Sequence, residues 1–251
     1  MSLPILKIAQ MREWEKATWA AGQTEAEVIR RVGVAVGGLA TRLTQPGELI
    51  LILVGKGNNG ADARAAREYL MERRVDLVEV KEPQTDSAKV QAVLSLGPAL
   101  IVDGLFGIGL DRPLSAEWIE LIQRINQART QVLAVDVPSG LNADSGEPQG
   151  AAIQATVTLT VGAPKEGLLK PSAWPFVGRL EVATEVGLAP CTQQSEFQWT
   201  LPADFVGFPP QREVATHKGT YGYLAIVAGS MECRIRISSG RVNPGRTLRK
   251  C

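Results

Sequence analysis

Mainly apolar segments alternate with helical segments over the first 190 residues, and this alternation limits the fold more than any other feature. The apolar segments are LILV (51–54), VDLVEV (75–80), ALIVDG (99–104), QVLAV (131–135), ATVTLTV (155–161) and RLEVA (179–183). Continuously apolar strands are typical of parallel sheets covered on both faces. Because crossover connections are right-handed, the alternation predicts an α/β fold: a Rossmann-like, doubly wound, mostly parallel sheet with helices on both faces.

The intervening segments carry apolar residues at three- and four-residue spacing, which predicts helices. We expect them over 8–43 with a break at Gly22, then over 60–73, 86–97 and 115–128. In the first, Met11, Trp14 and Thr18 share one side. Each of the last three helices then connects one strand to the next.

Composition excludes several classes of protein. The chain has 251 residues and a formal net charge of +1, so no overall field favours nucleic acid or a membrane as partner. No segment approaches the ~18–20 apolar residues that span a bilayer, and the first residues lack an export leader, so we predict a cytoplasmic protein. Its cysteines, Cys191, Cys233 and Cys251, are odd in number and lack CxxC spacing, which supports neither a disulfide framework nor a zinc site.

Three of the predicted strands end in polar loops that contain glycine and aspartate. The loops are GKGNNGAD (55–62), DGLFGIGLDRP (103–113) and DVPSGLNADSGE (136–147). Ligands of doubly wound sheets bind beyond the carboxyl ends of the strands. The three loops therefore predict the position of a binding site.

The first loop is suited to an anion. Its glycines let the backbone approach a ligand closely, and the amides of 58–62 would face a phosphate from the start of a helix. Asp62 either takes part in binding or only stabilises the helix terminus. The loop matches neither GxGxxG nor a Walker loop, since Lys56 precedes the amides.

The other two loops supply oxygen ligands and a carboxylate. The carboxylate of Asp103, together with backbone carbonyls that the neighbouring glycines leave accessible, is suited to binding a hard cation. Arg112 is either a phosphate ligand or a solvated side chain. A buried strand-end carboxylate such as Asp136 is often a proton-transfer group, and Ser139 offers a hydroxyl and a carbonyl. Ser139 is an improbable nucleophile, because the only histidine, His217, lies elsewhere in the chain.

Taken in order, the three loops resemble those of the NAD(P)H-hydrate epimerase family (the YjeF N-terminal domain). The resemblance extends from Ala9 to Gly187 and includes QMREWE and ATVTLTVGAPKEGLL. That family interconverts the R and S forms of hydrated NADH and NADPH. The resemblance implies an isomerase whose substrate, rather than cofactor, is the hydrated dinucleotide; both coenzymes stay open because they share the nicotinamide end.

The resemblance also implies roles for individual residues. Substrate-binding positions are Asn58, Asn59, Gly60, Ala61, Asp62, Gly107, Ile108, Gly109, Leu110, Asp111, Arg112, Pro113 and Asp136. A potassium ion would be held by Asn59, Asp103 and Ser139, and Asp136 would be the catalytic acid/base.

Two departures from the family pattern bear on activity. Ala61 replaces the second glycine of the family's NNGGD, which is tolerable only at negative φ. Arg30 and Arg31 stand where the family has a Met-Glu-Asn-Ala-Gly-like segment. They are either solvated or alter the affinity for substrate.

The last part of the chain resembles a different domain. HKGTYGYLAIVAGS (217–230) resembles the start of the ribokinase-like, ADP- or ATP-dependent NAD(P)H-hydrate dehydratase domain, whereas 231–251 is a basic tail without periodicity. We therefore expect an epimerase domain over 1–190, a linker over 191–216 and an incomplete dehydratase-like start over 217–251. A reading-frame change after Ser230 would explain the tail, and we expect no dehydratase activity.

The resulting prediction is an NAD(P)H-hydrate epimerase that works with a separate or fused dehydratase. The oligomeric state stays open, and the resemblance suggests a dimer or a larger homo-oligomer. Two alternatives stay open. One is a non-catalytic interaction module, as eukaryotic relatives provide, and the other is an inactive, truncated remnant of a bifunctional enzyme.

Overall fold

The computed structural model describes residues 2–208 and residue 215. Its strands are β1 (Leu3–Pro4), β2 (Leu49–Val54), β3 (Arg74–Glu79), β4 (Leu100–Gly104), β5 (Gln131–Val135), β6 (Val157–Val161), β7 (Arg179–Ala183) and β8 (Gln198–Trp199). Its α-helices are α1 (Ile8–Ala20), α2 (Glu25–Leu43), α3 (Asn58–Ala65), α4 (Pro83–Leu94), α5 (Ala116–Gln127) and α6 (Trp174–Val177). Single 3₁₀ turns cover Ala66–Tyr69, Glu166–Leu169, Pro171–Ala173 and Pro202–Phe205.

Six strands form one sheet in the order β3-β2-β4-β5-β6-β7, and every neighbouring pair is parallel. A separate antiparallel pair joins β1 to β8. The predicted α/β, doubly wound fold is confirmed. After β2 the chain proceeds to one side of that strand and then, with β4, to the other, so the switch point of the topology lies between β2 and β4.

Helices cover both faces of this sheet, as β2 illustrates. Its residues Ile50, Ile52 and Val54 pack in one core cluster with α2 and α3. Leu51 and Leu53 point to the opposite face and pack with α4 and α5. All of β2 is buried, which is why its sequence is continuously apolar rather than alternating.

Two helix boundaries differ from the sequence prediction. The helix expected over 60–73 begins earlier, at Asn58, and its α-helical part ends at Ala65 before the 3₁₀ turn. Because β3 begins at Arg74, opposite Leu49 of β2, residues 70–73 must close the crossover and cannot remain helical. The helix expected to begin at 86 begins at Pro83, which is tolerated in a first turn because no amide is needed there.

The chain divides into two compact units, Met1–Asp204 and Phe205–Cys251. The first half of the predicted linker belongs to the first unit: Gln10 Nε2 donates to the Gln194 carbonyl at 2.9 Å, and Ile5 N–H donates to the Phe197 carbonyl at 3.1 Å. The predicted dehydratase-like segment over 217–251, with His217, lies outside the described residues. Among the residues that are described, no helix is long and apolar enough to cross a membrane.

Candidate active site

The three polar loops meet at the carboxyl edge of the sheet, where they line a cavity of about 800 Å³. Predicted site residues on its wall are Asn58, Asn59, Asp62, Gly107, Ile108, Gly109, Leu110, Asp111, Arg112, Pro113 and Asp136. Residues of α1 and α2, among them Arg12, Glu15 and Glu25, close the cavity from the other side. The cavity thus lies beyond the strand ends, over the switch point.

Gly60, Ala61, Asp103 and Ser139 are not part of this wall. Gly60 is packed against backbone: a Cβ atom there would lie 2.2 Å from the Gly55 carbonyl oxygen. Gly60 is therefore needed for the approach of α3 to the end of β2. Ala61 sits in the first turn of α3 and is not among the residues with positive φ, so the departure from the family pattern is sterically tolerable.

Hydrogen bonds connect the three predicted cation ligands, of which Asn59 lines the cavity whereas Asp103 and Ser139 do not. Ser139 Oγ donates to Asp103 Oδ1 at 2.6 Å, and Ser139 N–H donates to Asp103 Oδ2 at 2.8 Å. Asn59 joins them through Phe106, whose carbonyl accepts from Asn59 Nδ2 at 2.8 Å and whose N–H donates to Ser139 Oγ at 2.8 Å. Sequence reasoning missed Phe106, although its position inside the glycine-rich DGLFG segment could have indicated a backbone ligand.

One oxygen of this cluster, Asn59 Oδ1, has no hydrogen-bond partner within residues 2–208. Asn59 Oδ1 is buried and accepts no hydrogen bond from the described residues. It faces Gly107, where a Cβ atom would lie 3.4 Å away. A buried acceptor without a donor costs about 1–3 kcal/mol, so this position favours occupation by a group that binds oxygen.

Asp103 is entirely buried, with 0% of its surface exposed. Burial raises its pKa to about 6, against the lowering effect of hydrogen bonds from Ser139 and Leu105. The desolvated carboxylate would be stabilised by a positive charge nearby.

Asp136 follows β5 and has an unusual backbone and a buried partner. Its φ is +63°, a left-handed conformation that is uncommon for residues other than glycine. Its Oδ1 accepts from Lys165 Nζ at 2.5 Å and from Val161 N–H at 3.0 Å. Lys165 was not predicted as a site residue; a single lysine directly after the apolar strand β6, in VGAPKEG, is the signal that could have revealed it.

A second carboxyl group, that of Asp62, faces the same cavity. Burial raises its pKa to about 8, and the negative charges of Asp136, Glu15 and Glu25 add to this, while Lys165 opposes it. Burial likewise raises the pKa of Glu15, with Asp136 as the next cause. At neutral pH Asp62 is therefore mainly protonated and can donate a hydrogen bond.

Asp62→Asn should make stability less dependent on pH. An unfolded Asp62 carboxyl loses its proton near its usual pKa of 3.8, whereas the folded one keeps it until about 8. Between these values the unfolded state binds fewer protons, so wild-type stability falls as pH rises, by at most about 1.4 kcal/mol per pH unit. Urea unfolding at pH 4.5, 6 and 8 should therefore show the variant gaining on the wild type as pH rises. Glu13→Gln, at an exposed position of α1, is the control, and a constant difference across this range would contradict the assignment.

The three arginines considered in the sequence analysis differ in their contacts and in whether they line the cavity. Arg112 is exposed on the cavity wall and has no hydrogen-bond or ion-pair partner within 2–208, so it is available to an anion. Arg30 and Arg31 both bond to Glu27, at 2.8 Å and 2.9 Å, and neither lines the cavity. Their solvated, paired state agrees with the first of the two interpretations.

Comparison with known proteins matches residues 25–96 and 78–167 to the family described as "YjeF-related protein N-terminus", which covers more than half of the chain. The chain belongs to this family. An NAD(P)H-hydrate epimerase of Achromobacter xylosoxidans is 38% identical over 187 residues, covering 67% of this chain and 88% of that protein. Another NAD(P)H-hydrate epimerase, from Bordetella bronchiseptica, is 36% identical over 210 residues, covering 75% of this chain and 90% of that protein.

This YjeF-family chain is also 35% identical to the bifunctional NAD(P)H-hydrate repair enzyme Nnr of Coxiella burnetii over 243 residues. The match covers 88% of this chain and 49% of that enzyme, so the chain spans about half the length of the bifunctional relative. The crystal structure of the yeast protein ynu0 (YNL200c) has the same fold, with a TM-score of 0.55 and 19% identity over 66% of this chain and 83% of that one.

Proposed function

We propose that this chain is an isomerase that interconverts the R and S forms of hydrated NADH and NADPH. The observation that carries the proposal is the Asp136 carboxylate, anchored through one oxygen, on the wall of a cavity large enough for a dinucleotide's nicotinamide half. Family membership and relatives named NAD(P)H-hydrate epimerase support the same reaction.

The two carboxyl groups of the cavity match what the reaction requires. To invert the carbon that bears the hydroxyl, a proton must be given to the departing hydroxyl and removed from the water that returns to the opposite face. Asp62, mainly protonated at neutral pH, would give a proton to the departing hydroxyl, which leaves as water. Asp136, ion-paired with Lys165, would be the acid/base that takes a proton from the water returning to the opposite face and then releases it to solvent, from which Asp62 regains its proton. Loop 107–113, with Arg112, would contact the phosphates.

The oxygen cluster of Asn59, Phe106, Ser139 and Asp103 fits a potassium ion. Within residues 2–208 Asn59 Oδ1 is a buried acceptor without a donor, and hydrogen bonds connect the Asn59 side chain through the Phe106 carbonyl and Ser139 Oγ to the Asp103 carboxylate. Oxygens of this kind are ligands of hard cations; centres built from three or more His, Cys, Asp or Glu side chains do not occur within the described residues. A potassium ion held by Asn59, Asp103 and Ser139 would supply positive charge beside the loops of the cavity.

Potassium should stabilise the folded protein through Asn59. Replacing choline chloride by potassium chloride should raise the unfolding free energy by about 1–2 kcal/mol if the ion is present at 10–30 times its Kd. Asn59→Ala should lose this stabilisation by potassium, because the substitution removes Asn59 Oδ1. Asn58→Ala, at the exposed neighbouring position, should keep it. An equal response to potassium in both variants would remove Asn59 from the ion site.

The activity itself is tested with purified R hydrate of NADH or NADPH. A separate dehydratase that accepts only the S form reports interconversion as the appearance of the reduced coenzyme. Coenzyme formation that requires the wild-type chain supports the epimerase. No acceleration over the spontaneous rate would favour the interaction module or the inactive remnant.

Other parts of the prediction accompany this function. The dehydratase would be the functional partner, either separate or fused, as the names of the bifunctional relatives indicate for those proteins. Homo-oligomerisation and a cytoplasmic location stay predictions of the sequence.

A further inference from the structure

Among the described residues Lys165 is the largest side chain that is completely buried, and it lies outside the three polar loops. Its backbone is held by the N-terminal segment: Leu6 forms a parallel bridge with Lys165, and Glu166 N–H donates to the Leu6 carbonyl at 2.8 Å. A buried ammonium is costly unless it is paired and hydrogen-bonded. Its position next to the cavity therefore calls for a function.

All three protons of the Lys165 ammonium have acceptors. Nζ donates to Asp136 Oδ1 at 2.5 Å, to the Val161 carbonyl at 2.8 Å and to Thr160 Oγ1 at 3.1 Å. No proton of the ammonium is left for a substrate. Lys165 is thus suited to holding another group rather than to transferring a proton itself.

The contacts of Asp136 are all on one side of its carboxylate. Lys165 Nζ, Val161 N–H and Thr160 Oγ1 reach Oδ1. Within 2–208, no hydrogen bond or ion pair reaches Oδ2, while Asp136 itself lines the cavity. The donors therefore orient the carboxylate so that one oxygen is anchored and the other is free for a ligand.

We propose that Lys165 is the positioning residue of the active site: it holds the Asp136 carboxylate by Oδ1 and turns it so that Oδ2 faces the substrate. The left-handed backbone of Asp136 agrees with this, because a strained conformation persists only where surrounding contacts determine it. The inference rests on the proposed epimerase function, in which Asp136 is the acid/base.

The first test compares Lys165→Met with the wild type on the R hydrate, in the full chain. We expect kcat to fall about 100-fold with KM changed less than about threefold, because a misdirected catalytic group affects the chemical step. Lys170→Met is the matched control, since Lys170 is half-exposed and bonds to the Asp144 carbonyl, away from the cavity wall. Lys165→Met with wild-type kcat, while the wild type is active, would overturn the inference alone; an inactive wild type would overturn the proposed function.

A double-mutant cycle keeps the test independent of folding defects. If Lys165 acts through Asp136, then Lys165→Met should cost no further activity in an Asp136→Asn background, although it costs about 100-fold in the wild type. The pair Asp136→Asn/Lys165→Met should also melt higher than Lys165→Met, which leaves a carboxylate without its cation. Additive losses of activity would overturn the inference.

Chemical rescue distinguishes positioning from proton transfer. Lys165→Ala opens space beside the cavity for a small alkylammonium ion such as propylammonium. We expect several alkylamines of similar size but different basicity to restore kcat to the same extent, and propanol to restore none. Rescue that scales with amine basicity would show that Lys165 transfers a proton, and rescue by propanol would show that it only fills space; either result would overturn the proposal.

Discussion

Asp136→Asn should lower the rate of interconversion between R and S hydrates by about 1,000-fold, within the range found when a general acid/base is removed. The amide has the same shape but neither accepts nor returns the proton, so the loss should appear in kcat. Asp76→Asn, on β3 and outside the cavity wall, is the matched control and should retain wild-type kinetics. Full activity of Asp136→Asn would remove Asp136 from the mechanism.

Stability must be measured beside activity in this variant, because the substitution leaves Lys165 without its anion. Breaking one partner of a buried ion pair costs about 3–5 kcal/mol. The charge-free pair Asp136→Asn/Lys165→Met should recover most of this loss and remain inactive. Recovered stability without recovered activity would separate the chemical role of the carboxylate from its structural one.

Gly60→Ala should destabilise the protein by about 3 kcal/mol or more, the upper part of the range for overpacking. The added methyl would lie 2.2 Å from the Gly55 carbonyl oxygen and 2.8 Å from its carbonyl carbon and nitrogen. These are backbone atoms and cannot swing aside. The backbone of Gly55 is in turn packed against that of Leu105, since a Cβ atom at Gly55 would lie 1.9 Å from the Leu105 carbonyl oxygen.

The adjacent position provides the control for Gly60→Ala. Ala61→Gly lies in the same turn of α3 but restores the family's NNGGD, and it should cost only about 1 kcal/mol from the helix preference of alanine. Urea unfolding gives both free energies, and activity should survive in Ala61→Gly. Equal losses at the two positions would contradict the packing role of Gly60.

The position of the candidate site could be predicted from the sequence because it depends on topology alone. Asn59 and Ser139 follow β2 and β5, Asp103 lies near the end of β4, and the carboxyl ends of parallel strands meet at one edge of a sheet. The parallel strands themselves could be recognised from their continuous apolar sequence. The family resemblance then added the chemistry, which spacing alone left open between a phosphate site and a cation site.

Other features of the site were beyond local sequence patterns. The glycines of the first loop looked like room for a phosphate, but Gly60 is needed because α3 starts against the backbone of Gly55. The early end of α3 follows from the register of β3 on β2. The helical periodicity of the sequence carries no information on this register. Glu15 of α1 and Asp62 of α3 line the same cavity, although the two helices are distant in the chain.

The amino-acid sequence was enough to predict the parallel sheet, the sheet edge at which the candidate site lies, and Asp136 as the proposed proton-transfer group. These follow from hydrophobic periodicity and from residues that lie next to each other along the chain. The orientation of the Asp136 carboxylate, by contrast, depends on contacts that exist only in the folded chain. Lys165 is 29 residues from Asp136 and reaches it because β5 and β6 are neighbouring strands. Leu6 pairs with the backbone of Lys165 in a parallel bridge. Such a pairing depends on the burial of both groups in the folded chain, a property that their spacing does not encode.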